Sequence, residues 1–146
     1  NLYGANDNYD LNNSHVLPAL LRKFYTAKKE QKKSVEVWGT GTPFREFMHV
    51  EDLADACLFL MQNFSEAGFV NVGTGEDISI KNLAMMIKRI VGYEGEFTFD
   101  SSKPDGAPRK LMDVSKLHKM GWKHKINLQE GIKSVYEEII SQKSFA

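Results

Sequence analysis

The strongest constraint on the fold is a stretch in which an apolar strand runs through a glycine turn into an arginine and a helix start. Trp38 ends the apolar strand, Gly39–Gly41 form the turn, and Arg45 follows in an extended segment. Glycines accept backbone dihedrals that other residues avoid, so such a turn lets the main chain approach a ligand closely. Arg45 offers a planar fork of donors that suits a diphosphate, and Trp38 offers a flat face for a base or sugar. Taken alone, these residues also fit a salt bridge between Arg45 and Glu46 and a core position for Trp38.

Apolar periodicity along the rest of the chain alternates between helix and strand patterns. Leu17, Leu20, Leu21 and Phe24 recur at spacings of three and four, which predicts one buried helix face. Such patterns predict helices beginning near Ser14, Asp52, Ser79, Asp113 or Ser115, and Asn127, with extended segments over 35–38, 44–50, 69–72 and 96–100. Strands alternating with helices predict an α/β fold. The 146 residues suit a single domain by length.

Composition excludes several classes of function. Lys plus Arg and Asp plus Glu both number 19, so a formal net charge of zero argues against nucleic acid or an anionic membrane as a partner. No apolar run approaches the ~20 residues of a membrane span, and the opening residues show no secretory pattern. A single cysteine, Cys57, excludes an intrachain disulfide and fits a reducing compartment, so we expect a cytoplasmic protein.

The helix predicted from Asp52 has an apolar face. We expect Cys57 to be a small core residue on that face rather than a reactive thiol. The same buried face should also carry Leu53, Ala56, Leu60 and Met61.

Other chemical signals in the sequence are weak. His15 stands near a helix start and could serve as an acid or base because imidazole titrates near neutral pH, although a lone histidine is more often structural. The turn 73–75 lacks the third glycine of a dinucleotide fingerprint and any Gly-Lys-Ser/Thr ending, so a plain turn is favoured. No Cys/His set has metal-ligand spacing, and we expect no metal.

Several blocks together resemble the GDP-fucose synthases of the extended short-chain dehydrogenase/reductase family. The blocks are Asn-Leu-Tyr-Gly at 1–4, Asn-Ser-His-Val-Leu-Pro-Ala-Leu at 13–20, the segment 38–54, Asn-Val-Gly-Thr-Gly at 71–75 and Lys-Pro-Asp-Gly-Ala-Pro-Arg-Lys at 103–110. The arginine–His-Val-x-Asp-Leu-Ala block is shared by many extended reductases and epimerases. The Asn-Ser-His and Lys-Pro-Asp-Gly blocks narrow the resemblance, which extends from Asn1 to about Tyr136.

The resemblance implies an NADPH-dependent enzyme that epimerises GDP-4-keto-6-deoxy-D-mannose at C3 and C5 and then reduces C4, giving GDP-L-fucose. At the matching positions, His15 is implied as the acid of the epimerisation and as a neighbour of the cofactor, and Asn1 and Leu2 as further cofactor contacts. The implied substrate contacts are Lys23, Trp38, Arg45 and Asp105. Lys23 stands where relatives often carry arginine, so it keeps the charge but loses the bidentate geometry.

The resemblance places the family's glycine-rich dinucleotide loop and its catalytic Tyr-x-x-x-Lys pair upstream of these 146 residues. We therefore expect a C-terminal portion of a longer enzyme, with 1–146 forming the smaller α/β substrate-binding part. Residues 46–75 should return to the missing Rossmann sheet. The expectation is that the isolated portion is inactive and that the full-length enzyme is a homodimer. A related nucleotide-sugar epimerase or dehydratase and a non-catalytic nucleotide-sugar-binding protein remain alternatives.

Overall fold

The computed structural model describes residues 1–142. Its helices are α1 (Val16–Lys29), α2 (Val50–Asn63), α3 (Ile80–Val91), α4 (Ser115–Lys119) and α5 (Leu128–Ser141). Its strands are β1 (Leu2–Tyr3), β2 (Ser34–Trp38), β3 (Phe44–Glu46), β4 (Met48–His49), β5 (Asp77–Ser79), β6 (Glu96–Asp100) and β7 (Arg109–Lys110). Helices and strands alternate along the described chain, which confirms the predicted α/β class.

The strands form three small sheets. β1 pairs with β4 in parallel, with Tyr3 opposite His49. β2 pairs with β6 in parallel along its whole length, from Ser34 to Trp38. β3 lies between β5, which is antiparallel to it, and β7, which is parallel. The glycine turn connects β2 to β3, so the second and third sheets meet at this turn.

One hydrophobic core holds α1, α3 and α5 together against β2 and β6. The fully buried side chains include Leu17, Leu21 and Phe24 of α1, Leu83 and Ile87 of α3, and Ile132 and Ile139 of α5. Burial of each such side chain stabilises the fold by about 1.5–3 kcal/mol. The face predicted for the first helix is therefore confirmed, and it packs into this core.

Local signals set most helix ends as predicted. The Ser79 hydroxyl accepts a hydrogen bond from the Asn82 N–H at the start of α3, and Gly92 ends that helix in the left-handed region at φ 69°. The Asn127 side chain caps α5 by accepting from the Gln129 N–H. Helix α1 differs: its N-cap is His15, not Ser14, and the His15 side chain makes no capping hydrogen bond.

The region after β4 departs from prediction. Cys57 is exposed, so its expected core role is wrong, and Met61 is 82% exposed. Ala56 and Asp52 are the buried positions of α2, and a second small core joins Met48, Ala56, Leu117 and Trp122. Residues 69–72 form no strand. A strand needs a hydrogen-bonding neighbour, and no segment of the described chain supplies one here.

Candidate functional site

The predicted substrate contacts surround one cavity of about 210 Å³, which we call the Arg45 cavity. Lys23 reaches it from α1, Trp38 from the end of β2, Arg45 from β3 and Asp105 from the loop after β6. Apolar side chains of α1, β2 and the start of α3 complete the wall: Val16, Leu20, Val37 and Ile80. The structure thus brings together four residues that are spread over 83 positions of sequence, from 23 to 105.

The guanidinium of Arg45 is fixed by main-chain acceptors. Its Nη1 donates to the Phe44 carbonyl at 2.7 Å, and its Nη2 donates to the Asp105 carbonyl at 3.2 Å. The alternative of a salt bridge to Glu46 is wrong, because Glu46 points to the opposite side of β3 and is 4% exposed. Both hydrogen-bond acceptors are neutral and the nearby Asp105 carboxylate makes no direct ion pair with the guanidinium, so this arginine is suited to an anionic ligand.

The carboxylate of Asp105 is already engaged. Its Oδ1 accepts from the Thr40 main-chain N–H and its Oδ2 from the Thr40 hydroxyl, each at 2.7 Å. These two hydrogen bonds, reinforced by the charge of Arg45, lower the pKa of Asp105 below its usual value. Asp105 is therefore ionised at neutral pH and holds its loop against the glycine turn.

Trp38 lies at the surface rather than in the core, with 54% of its area exposed. The ammonium groups of Lys23 and Lys103 lie 5.1 and 5.4 Å from the centre of its ring. Lys23 also donates to the Glu36 carbonyl at 2.9 Å, and partial burial lowers its pKa from the usual lysine value. Cation–π attraction holds the two ammonium groups over the indole ring, which places positive charge beside the cavity that Trp38 and Lys23 line. Lys103 was not singled out from the sequence, because one lysine in a turn-rich loop has no distinguishing pattern.

The remaining predicted residues, Asn1, Leu2 and His15, line a second and larger cavity of about 810 Å³, the His15 cavity. It opens where β1 and β4 end side by side, which in parallel sheets is the usual edge for ligand binding. His49 also lines it, and its Nδ1 accepts from the Glu51 N–H at the start of α2. The Tyr3 hydroxyl is buried beside this cavity without a hydrogen-bond partner in residues 1–142, and burial raises its pKa above the usual tyrosine value.

Helix α1 connects the two cavities. His15 immediately precedes the helix and lines one cavity, and Lys23 lies two turns further on and lines the other. Eight residues at 1.5 Å each separate them by about 12 Å along the helix axis. A ligand that occupied both cavities would need an anionic, flat end and a reactive end about 12 Å away.

Glu46 is a site-supporting residue that the sequence did not reveal. Its Oε1 accepts from the Thr74 and Gly75 N–H groups, each at 2.7 Å, and its Oε2 accepts from the Met112 N–H at 2.9 Å. A buried carboxylate thus ties β3 to the turn 73–75 and to the segment after β7. The turn binds a side chain rather than a phosphate, so the interpretation of 73–75 as a plain turn holds.

Within residues 1–142, no cluster of three or more His, Cys, Asp or Glu side chains is arranged to hold a metal ion. None of the helices in that range is long and apolar enough to cross a bilayer.

The sequence resembles a known protein family and several curated proteins. The NAD dependent epimerase/dehydratase family profile matches residues 1–73. The chain is 54% identical to the probable GDP-L-fucose synthase 1 of Oryza sativa over 98% of its length, but covers 45% of that protein. It is 49% identical to the GDP-L-fucose synthase of Escherichia coli, with 94% of this chain and 46% of that protein covered. The chain therefore spans about half the length of the curated relatives it matches.

Solved structures agree. A GDP-L-fucose synthetase from Naegleria fowleri superposes with a TM-score of 0.92 at 28% identity, over 100% of this chain and 45% of that one. A GDP-6-OMe-4-keto-L-xylo-heptose reductase from C. jejuni gives 0.88 at 44% identity, over 97% and 52%. Fold and neighbours together define an α/β portion of an extended short-chain dehydrogenase/reductase.

Within that fold, the chain belongs to the NAD dependent epimerase/dehydratase family. A nicotinamide cofactor goes with this family, and the Naegleria fowleri protein has also been solved bound to NADP. The described residues fit the rim of such a site: exposed Leu2 and His15 line the His15 cavity at the carboxyl ends of β1 and β4.

Proposed function

We propose that the polypeptide carrying this chain converts GDP-4-keto-6-deoxy-D-mannose to GDP-L-fucose with NADPH, and that residues 1–146 supply its substrate-binding half. The observation that carries this proposal is the alignment of the two cavities along α1. A nucleotide-binding wall lies near Lys23, and an acid–base side chain stands two turns away at His15. We infer a GDP sugar as the substrate from the names of the relatives, which are GDP-L-fucose synthases.

Each wall of the Arg45 cavity has a role in holding the nucleotide. Arg45 and Lys23 neutralise the diphosphate, and Trp38 stacks against the base or sugar. Asp105 completes the binding set: its carboxylate, kept ionised by Thr40, retains lone pairs for a guanine N–H or a ribose hydroxyl. Binding energy from these contacts places the sugar ring toward the His15 cavity.

His15 acts on the sugar. The C4 ketone acidifies the protons at C3 and C5, so each centre can lose a proton and regain one from the opposite face. His15 is exposed to its cavity and its ring makes no capping hydrogen bond, so it is free to deliver a proton to the enolate carbon. The base that removes the protons is expected upstream of these residues.

NADPH, when bound, supplies the hydride for C4. Asn1, Leu2 and His15 would border it on this side, and residues 46–75 would pack against the domain that holds the rest of it. The exposed apolar side chains of α2 and the loop after it support that packing: Val50, Leu58, Met61 and Phe69 are each at least 47% exposed. A homodimer remains a prediction for the full-length polypeptide, as does inactivity of this portion alone.

The test is NADPH oxidation by the full-length polypeptide with GDP-4-keto-6-deoxy-D-mannose, with the product sugar identified. We expect the absorbance of NADPH to fall and GDP-L-fucose to be the product. NADPH oxidation without inversion at C3 and C5 would contradict the epimerase stage. GDP-sugar binding without any oxidation would support the non-catalytic alternative.

A second candidate is a GDP-sugar 4-reductase that does not epimerise. Its support is the 44% identity to the heptose reductase from C. jejuni, which is lower than the 54% and 49% identity to the GDP-L-fucose synthases, so it ranks second. Product stereochemistry in the same assay separates the two candidates. A UDP-sugar epimerase or a dehydratase would instead leave NADPH unconsumed.

A further inference from the structure

Two loops that are far apart in sequence close one side of the Arg45 cavity, and Thr40 joins them. The Thr40 N–H and hydroxyl both donate to the Asp105 carboxylate, one to each oxygen and each at 2.7 Å. Two hydrogen bonds from one residue prevent the carboxylate from rotating. Bonds to a charged acceptor are also stronger than neutral ones.

The glycine turn is shaped for this contact. Gly39 has φ +84°, and a Cβ at this position would overlap the Asp105 carboxylate. Gly41 has φ +77° and lies against the ring of Phe99 on β6. Both glycines are therefore required for the turn to sit under the loop 103–108 with Thr40 directed at Asp105.

Asp105 in turn sets the position of Arg45. The Asp105 main-chain carbonyl accepts from Arg45 Nη2 at 3.2 Å. A Cβ added to the neighbouring Gly106 would lie 3.4 Å from that Nη2 atom. The guanidinium thus rests on the main chain of the loop. Any displacement of this loop would move the donors that face the anion.

We propose that Thr40 is a positioning residue for anion binding: through Asp105 it holds the loop 103–108, and with it the guanidinium of Arg45, where the diphosphate of a nucleoside-diphosphate sugar binds. Thr40 is not among the residues that line the cavity, so it acts through Asp105 and Arg45 rather than on the ligand. This inference rests on the proposed function for the identity of the nucleotide. The geometry of the three residues does not depend on it.

The test is a set of GDP titrations by calorimetry on the full polypeptide that carries these residues. Thr40→Val keeps the shape and the main-chain N–H but removes the hydroxyl, and we expect GDP affinity to fall about tenfold, the scale of one hydrogen bond to a charged group. Thr40→Ser restores the hydroxyl and should bind GDP within about twofold of wild type. In an Arg45→Ala background, Thr40→Val should cost about threefold or less, because no guanidinium remains to be positioned and only the Asp105 contact is affected.

The matched control is Ser102→Ala. Ser102 also donates its hydroxyl to an aspartate, Asp100 at the end of β6, at 2.6 Å, but neither residue lines the cavity. GDP affinity should be unchanged. Full additivity of Thr40→Val and Arg45→Ala, or failure of Thr40→Ser to restore binding, would overturn the positioning role.

The same titrations separate this inference from the proposed function. If wild type binds UDP but not GDP, the proposed substrate is wrong, and the Thr40 series is then read with UDP against the same expectations. If wild type binds neither nucleotide, both the function and the positioning role are overturned.

Discussion

The two cavities along α1 differ in how completely their functional groups are held. In the Arg45 cavity, the guanidinium has two main-chain acceptors and the Asp105 carboxylate has two donors from Thr40. In the His15 cavity, the imidazole of His15 makes no capping hydrogen bond, and the Tyr3 hydroxyl has no partner in residues 1–142. The nucleotide-binding groups are thus organised within this chain, whereas the acid–base group depends on what else borders its cavity.

The largest effect is expected at His15, where substitution should slow proton transfer without weakening GDP binding. In the full-length polypeptide, His15→Gln should slow exchange of the C3 and C5 protons with solvent deuterium by ~10²–10⁴-fold, because the proton donor is lost. NMR of the recovered sugar measures this exchange. GDP affinity is the internal control and should stay within about twofold of wild type. Unchanged exchange would remove His15 from the mechanism.

Removal of Arg45 should weaken GDP binding, in contrast to the His15 variant, which should bind GDP normally. Arg45→Ala removes charge-assisted hydrogen bonds worth about 1.5–3 kcal/mol, so GDP affinity should fall roughly 10- to 100-fold while folding is retained. Arg109→Ala is the matched control, because Arg109 is on the adjacent strand β7, pairs with Asp77 and does not line the cavity. Equal loss of GDP binding in both variants would contradict a specific role for Arg45.

A variant at Glu46 tests whether the hydrogen bonds of its carboxylate stabilise the fold next to the Arg45 cavity. Glu46→Gln places an amide NH₂ among main-chain donors that need acceptors, and we expect the free energy of unfolding to fall by about 1–3 kcal/mol. Urea denaturation measures this loss. Glu96→Gln, an exposed position on β6, should change stability by less than about 0.5 kcal/mol. Equal stability of the two variants would mean that the hydrogen bonds accepted by the Glu46 carboxylate carry no net stability.

The smallest effect is expected at Lys23. Lys23→Arg keeps the positive charge and adds a planar fork, so GDP affinity should rise by roughly two- to fivefold if the side chain faces the diphosphate. Lys28→Arg, further along α1 and bonded to the Val91 carbonyl, serves as the control and should leave affinity unchanged. Weaker GDP binding by Lys23→Arg would contradict a contact between Lys23 and the diphosphate.

Periodicity and capping chemistry were sufficient for the elements that pack on one another. Ser79, Gly92 and Asn127 mark helix ends through their own local hydrogen bonds or dihedrals, so their positions can be predicted from the sequence. The structure of residues 69–72 and the burial of the apolar side of α2 could not be predicted. An apolar pattern shows that burial of these side chains is favoured, but not which segment packs against them. The short strands β5 and β7 were missed for a related reason: each has only two or three residues and is defined by pairing with β3.

For the candidate site, the residues implied by resemblance were brought to the two cavities, but their bonding was not foreseen. Asp105 was expected to face a ligand, and the structure shows its carboxylate bonded to Thr40. Long-range hydrogen bonds of this kind leave no periodic signal in a sequence. The role of each cavity residue in binding or catalysis stays a prediction until it is measured.

The most direct test of the central claim is an NMR titration that compares GDP with GDP-L-fucose, following the two tryptophan indole N–H signals and the ring signals of His15. Trp38 lines the Arg45 cavity, whereas Trp122 is buried and donates to Asp55 at 2.8 Å, so it serves as an internal reference. If one ligand spans both cavities along α1, GDP should shift Trp38 alone, and GDP-L-fucose should shift Trp38 and His15. Shifts of Trp122, or a GDP-L-fucose complex in which His15 does not respond, would contradict the account.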